Sequence, residues 1–382
     1  MLKLFKYEFK KYYMWGMSMK FLLKKNLVMV SSLVSILLFL SACGNSSENV
    51  ESAGASSEEP IELVVNSWFA SEADVPNNVW KPWEEYVEDK TDGRVEVTVH
   101  YNGALASSGE ILEGVQSGLF DVGMALAMYY EDSQLFPLSI GDLPFANDGD
   151  PDKDAAIMQE FSELYADSIW EGIIKIGVGS PPPKYMYSTS PITTTDFLKG
   201  KNVRVSNNLE SELFKSLGGT PTEVAFEETY NALDKSLVDA MISTHDVYTN
   251  LQLVEVAPNF LDVPISFANA TAIMNEDFFN SLPEDLQTLF VEDLNPKWQE
   301  LFEENARIVM SNDQEVIEMA ESNGGEVTKF EGDELSELQD YGRTVWDFWV
   351  EQADSKGYPG EQMMEDFVRI SRENGVELDF MN

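Results

Sequence analysis

One cysteine and two histidines stand among 382 residues. A lone thiol, Cys43, closes no internal disulfide and leaves no cysteine-based metal site. His100 and His245 are too few for a zinc centre, and neither offers a good base for a Ser-His-Asp triad. No Gly-x-Ser-x-Gly turn accompanies them. No metal and no cofactor is therefore expected. Basic residues are also scarce, 25 against 67 acidic ones, for a net charge of −42. A polyanionic partner would be repelled, which excludes nucleic-acid binding. The longest apolar run, Leu27 to Leu40, falls short of the ~20 residues that a membrane-spanning helix needs.

That run instead reads as the apolar region of a signal peptide. Lys20, Lys24 and Lys25 precede it, and Leu40-Ser41-Ala42-Cys43 follows as a lipobox. Residues 1–42 are thus expected to be a lipoprotein signal peptide, with Met17 or Met19 as alternative starts, and Cys43 the lipidated residue. Residues 43–60, rich in Ser, Glu and Ala, read as a flexible tether. A lipid anchor would hold the protein on the extracytoplasmic face of a Gram-positive-like membrane, or in the periplasm of a Gram-negative host, without spanning the bilayer. Residues 1–42 carry seven lysines and one glutamate, which leaves 18 basic and 66 acidic residues, net −48, in 43–382. Such a surface repels anionic headgroups and sets a problem for any anion site, which must carry its own cation at short range.

Apolar content of 43% supports real cores, and 340 residues after the signal suffice for two domains. The pattern after Pro60 alternates strands and helices. Ile61 to Val65 reads as a buried strand and 78–90 as a helix. Val95, Val97, Val99 and Tyr101 alternate with polar residues as a strand that places His100 on its polar face. Ser107 and Glu110 fit a capping box, and Val122 to Met128 is strand-like. Short connections point to α/β with a largely parallel sheet. Pro181-Pro182-Pro183 marks a domain crossover, beyond which strands near 185–189, 203–205, 222–225 and 238–242 alternate with helices at 209–217 and 227–235. From Pro283 to Asn323 the chain reads as helical, with Pro296 kinking or splitting it, and a last helix spans about 333–354.

Three stretches carry a family resemblance. They are Asn102-Gly103-Ala104-Leu105 followed by Glu110-Ile111-Leu112-Glu113-Gly114-Val115-Gln116-Ser117-Gly118-Leu119-Phe120-Asp121-Val122-Gly123; Leu198-Lys199-Gly200-Lys201-Asn202-Val203-Arg204-Val205; and Leu217-Gly218-Gly219-Thr220-Pro221 with Phe226-Glu227-Glu228-Thr229-Tyr230-Asn231-Ala232-Leu233 and Leu237-Val238-Asp239-Ala240. In this order they resemble the DctP family, the solute receptors of tripartite ATP-independent periplasmic (TRAP) transporters. The resemblance implies a periplasmic-binding-protein-like fold: two α/β domains, a ligand cleft between them and a long helix along both, which fits 284–322. The expected boundaries are 61–182 plus 268–310 for domain I and 183–267 plus 311–382 for domain II. It also implies no catalysis, a small organic acid as ligand, and delivery to the small and large permease subunits.

By that resemblance Arg204 is the carboxylate-binding arginine. Its planar fork of donors matches a carboxylate bidentately. A second family arginine falls at Lys184, which keeps the charge and loses the fork. The apolar, aromatic turn Leu126-Ala127-Met128-Tyr129-Tyr130, Ser206 where proline is common, and Ala240-Met241-Ile242-Ser243-Thr244-His245 in place of the usual Gln-Glu-Asn-Pro stretch depart from the family pattern. They favour a monocarboxylate with an apolar, aromatic or hydroxylated body over a C4-dicarboxylate. Trp68, Phe69, Tyr129, Tyr185 and Phe226 are candidate aromatic walls. Ser243, His245 and Asp246 are candidate polar contacts. Two rivals stay open on sequence alone: an extracellular hydrolase, and a sensory receptor that uses the same binding fold.

Overall fold

The computed structural model describes residues 59–179 and 182–378. The expected signal peptide, the expected lipobox with Cys43, most of the expected tether and Pro181 lie outside the described residues. The first half opens with strand β1 (Ile61–Asn66), helix α1 (Lys81–Lys90) and strand β2 (Val95–His100). Helix α2 (Ile111–Gln116), strand β3 (Val122–Leu126), helix α3 (Pro151–Leu164) and strand β4 (Ile173–Gly179) complete it. The second half carries β5 (Lys184–Ser188), β6 (Asn202–Val205), helix α4 (Asn208–Ser216), β7 (Thr220–Glu223), helix α5 (Thr229–Asp234) and β8 (Ala240–Ser243). Helix α6 (His245–Asn250) and strand β9 (Asn259–Ser266) follow, and β10 (Ala270–Asn275) returns to the first half. Helices α7 (Asn295–Met310), α8 (Asp313–Ser322), α9 (Asp333–Ser355) and α10 (Gly360–Glu373) close the chain, with a short strand β11 (Val327–Thr328) between α8 and α9.

Two sheets result, ordered β2-β1-β3-β10-β4 and β11-β9-β5-β8-β6-β7. Both are largely parallel, as expected, each with one antiparallel strand, β10 in the first and β5 in the second. β1 runs parallel to β2 and β3, whereas β10 runs antiparallel to β3 and β4. β6 runs parallel to β7 and β8, whereas β5 runs antiparallel to β8 and β9. The reason is topological. β5 and β10 are the strands entered directly after the chain crosses from one sheet to the other, at 180–183 and at 267–269. A strand entered from the crossing edge must start there, opposite to strands that end there. β9 and β10 escaped the sequence reading: β10 is a nearly unbroken apolar run with no period of two, and β9 carries Pro264, which argues against a strand.

Local signals held where the chemistry was local. Ser107 N donates to Glu110 Oε2 at 3.0 Å in the expected capping box. Gly218 takes φ +79 after α4, the left-handed cap that glycine supplies. Gly123 lies so close to α2 that a Cβ there would stand 2.7 Å from Ile111 Cγ2. The helical run after Pro283 is not split at Pro296: it continues from Glu284 to Met310 through a π-type turn at Phe290–Leu294, and Pro296 sits in the first turn of α7. The run breaks before α8. α7 packs on the first sheet through Trp298, whose ring lies 5.7 Å from Trp80. Trp83 Nε1 donates to Leu294 O at 2.8 Å. α8 packs on β11 and α6 of the second half, so the run passes from one half to the other. α9 packs on α4 of the second half, while α10 packs on α3 of the first.

The second crossing is held by a buried acid. Asn269 N donates to Asp142 Oδ1, and Ala127 N donates to Asn269 O at 2.9 Å. Asp142 Oδ2 is buried without a partner. Burial pushes the Asp142 carboxyl up to about 8, against the pull of Lys184 and the Asn269 amide. The folded protein therefore keeps this group neutral between pH ~4 and ~8, where the unfolded chain ionises it. Stability from this site falls as pH rises through that window. Asp142→Asn keeps the neutral shape without the penalty. Its stability relative to wild type should rise from pH 4 to pH 8, by on the order of a few kcal/mol, measured by urea unfolding at each pH.

Candidate functional site

The two sheets place their functional ends together. In open α/β sheets, ligands bind beyond the carboxyl ends of the parallel strands. Trp68 follows β1, Tyr129 follows β3, Arg204 sits near the end of β6, Phe226 follows β7 and Thr244 follows β8. The antiparallel strands contribute their first residues at the same edges: Lys184 opens β5 and Ala270 opens β10. Together they line one cavity of about 80 Å³, walled mainly by apolar side chains. A single water needs roughly 10–15 Å³ on this measure, so the space takes about half a dozen water-sized groups. Arg204 also borders a wider groove of about 660 Å³ lined by Ser107, Glu131, Asp132 and Asn208.

The walls are aromatic. Trp68 stacks on Phe69 with ring centroids 3.8 Å apart and meets the edge of Phe226 at 5.7 Å. That second contact joins the halves, since Trp68 belongs to the first and Phe226 to the second. Trp68 Nε1 donates to Met124 O at 3.2 Å, which fixes the indole plane. Further contacts bridge the halves around the cavity. Asn208 N donates to Glu131 Oε1 at 2.6 Å, and the Asn208 side-chain amide donates to Glu131 Oε2. Asn250 Nδ2 donates to Asp74 Oδ2 at 3.3 Å.

The charged lining residues are Lys184, Arg204, Glu210 and Asp246. Lys184 Nζ pairs with Glu210 Oε1 at 2.8 Å, with side chains only 6% and 5% exposed. Glu210 Oε2 accepts from Ser206 N at 2.6 Å. Burial alone would raise the Glu210 carboxyl, but Lys184 and Arg204 together hold it below its ordinary value. Arg204 donates from Nε to Val224 O at 3.2 Å and from Nη1 to Ser206 Oγ. It makes no ion pair within 4.0 Å among the described residues. Lys184, Glu210 and Arg204 thus sum to one positive charge, while Asp246 also lines the cavity and burial raises its carboxyl above the ordinary value. Asp142 nearby stays neutral below about pH 8 and does not cancel it.

Seven of the residues singled out from sequence meet in this cavity: Trp68, Phe69, Tyr129, Lys184, Arg204, Phe226 and Asp246. Ser243 and His245 do not line it. At the turn from β8 into α6, Thr244, Asp246 and Val247 line the cavity instead. His245 stacks on Tyr185, centroids 4.1 Å apart and rings 3° from parallel, and its Nδ1 hydrogen-bonds Tyr187 Oη. Tyr185 is thereby also a core residue of the second half. Glu210 was missed by the sequence reading. Nothing local in Asn207 to Ser211 says that its carboxylate meets a lysine 26 residues earlier. No group of three metal-ligating side chains occurs among the described residues. No described helix is long and apolar enough to cross a membrane.

The family model for bacterial extracellular solute-binding proteins, family 7 (DctP), matches residues 67–353. The chain belongs to the DctP family. It is an extracytoplasmic solute receptor of the TRAP type, with the two α/β halves that the motifs implied. It is 24% identical over 315 residues to the ectoine-binding periplasmic protein TeaA of Halomonas elongata, covering 80% of this chain and 85% of that one. Solved structures share the fold at lower identity. One is a marine metagenome TRAP solute-binding protein specific for aromatic acid ligands, in complex with 3-hydroxybenzoate: TM-score 0.75, 18% identity, 83% of this chain and 99% of that one. Another, from Rhodoferax ferrireducens with copurified benzoate, gives TM-score 0.74 and 17% identity over 82% of this chain and 98% of that one.

The surroundings of His245 are testable directly. Burial lowers its pKa from 6.5 to about 4. The imidazole therefore stays neutral from pH 8 down to about 5, whereas the unfolded chain takes up a proton below about 6.5. An NMR titration of the His245 ring should show no inflection between pH 8 and 5. An inflection near 6.5 would place the ring in solvent.

Proposed function

We propose that this protein captures a small monocarboxylic acid with an aromatic or otherwise apolar body and hands it to the TRAP permease subunits. The observation that carries the reading is Arg204: a guanidinium with no ion pair of its own among the described residues, at the wall of a cavity lined mainly by apolar and aromatic side chains. A buried cation is costly unless an anion joins it. A ligand carboxylate supplies that anion, and the fork of donors fixes its orientation. Trp68, Phe69 and Phe226 then sandwich the body of the acid. Two solved relatives of the same fold hold benzoate and 3-hydroxybenzoate, which agrees with a cavity of this size.

The mechanism follows from the two halves, for which we keep the boundaries 61–182 plus 268–310 and 183–267 plus 311–382, except that α10 (Gly360–Glu373) packs on α3 and goes with the first half. Arg204 and Phe226 belong to one, Trp68 and Tyr129 to the other. A ligand that touches both stabilises the closed arrangement by its differential affinity for it. The Glu131–Asn208 and Asp74–Asn250 contacts form only when the halves meet, and add to closure. The protein acts as a receptor and not as an enzyme. We infer further that Cys43 carries the lipid that holds it at the membrane surface, so that capture occurs beside the permease.

A thermal-shift screen of the purified protein against organic acids tests the reading. A ligand at 100 times its Kd should add about 2.7 kcal/mol of stability. Aromatic monocarboxylates should raise Tm most. Arg204→Ala should abolish the shift while leaving the unliganded melting transition cooperative. Stabilisation by sugars or amines alone, with no acid effective, would overturn the carboxylate assignment.

A further inference from the structure

Two cationic side chains line the cavity, yet only one is available. Lys184 Nζ is tied to Glu210 Oε1 at 2.8 Å, and the other Glu210 oxygen is tied to Ser206 N at 2.6 Å. Glu210 is itself a lining residue, together with Lys184, Arg204 and Ser206. Its carboxylate therefore occupies the place, beside a buried ammonium and a backbone N–H, that a ligand carboxylate would otherwise take. The arrangement is built rather than incidental. Asn207 Oδ1 accepts from Glu210 N at 2.8 Å and fixes the start of α4, which aims the Glu210 side chain back at β5 and β6.

We propose that Glu210 is a specificity-determining residue, a built-in counter-ion that fills the second carboxylate position and limits the receptor to ligands with one carboxylate. This rests on the carboxylate reading of Arg204 given above and deepens it. A diacid would bring its second carboxylate against Glu210 inside a low-dielectric cavity, where like charges repel strongly. A monoacid brings one carboxylate to Arg204 and its body to the aromatic walls. Selectivity of this kind is achieved by the repulsive element as much as by the attractive one.

The test compares benzoate with isophthalate, which differ by one carboxylate, by calorimetry on the full chain and on two variants. Wild type should bind benzoate at least tenfold more tightly than isophthalate. Glu210→Gln keeps the side-chain shape and a carbonyl oxygen toward Lys184 but removes the anion. It should narrow or invert that ratio by at least tenfold. Glu210→Ala leaves Lys184 buried without an anion and opens space beside it. It should melt several degrees lower, and isophthalate should restore Tm more than benzoate does. Should Glu210→Ala fail to fold, the Glu210→Gln ratio decides alone. A benzoate-to-isophthalate ratio unchanged by loss of the Glu210 charge would overturn the proposal while leaving Arg204 in its role. Failure of both acids to bind wild type would instead overturn the aromatic-acid reading on which the proposal stands.

Discussion

The buried pair between Lys184 and Glu210, with Arg204 beside it, is the constraint on which the site depends. Taking charges out of water is expensive, and a pair repays the cost only with good geometry and further hydrogen bonds. Here the Ser206 amide supplies the second oxygen of Glu210 with a donor. Removing one partner of such a pair characteristically costs about 3–5 kcal/mol, because the other is stranded. The pair therefore contributes less to stability than to definition. It holds β5, β6 and the start of α4 in one arrangement, and it leaves Arg204 as the surplus cation.

That surplus answers the charge problem of the chain. With net −48 over residues 43–382, the far field opposes any anion. Salt screens it beyond a Debye length of about 8 Å. Inside the cavity the aromatic walls exclude water, and Arg204 acts at short range in a low dielectric. Of the acids near it, burial keeps Asp142 protonated up to about pH 8, Glu210 is engaged with Lys184, and burial raises the Asp246 carboxyl above its ordinary value. A receptor with a strongly acidic surface can thus offer one local positive charge.

The fold brings these groups together because the chain crosses twice between its sheets. Each crossing forces an antiparallel strand, β5 or β10, whose first residue starts at the cleft. Parallel strands β1, β3, β6, β7 and β8 end there. Residues from 68 to 270 thus converge on one small volume. The Asp142–Asn269 contact fixes the second crossing, and α7 with α8 runs from the first half to the second without entering the cavity except through Phe302 and Asn305.

How much of this the amino-acid order determined varies with the range of the interaction. Periodicity and local capping chemistry specified β1, β2, β3, the capping box at Ser107 and the glycine end of α4, because those depend on neighbours within a few residues. The Asn202-Val203-Arg204-Val205 stretch marked the arginine, through resemblance to the DctP family. Strand direction was not legible: a buried apolar run such as β10 reads alike in either orientation. Nor was side-chain facing after β8, where a step of one residue put Thr244 and Asp246 in the cavity and His245 against Tyr185. Glu210 was least legible of all. It looks like any acid in the first turn of a surface helix, and only the tertiary structure sets its carboxylate against Lys184. An ion pair across 26 residues leaves no local trace, since its energy comes from burial that other parts of the chain provide.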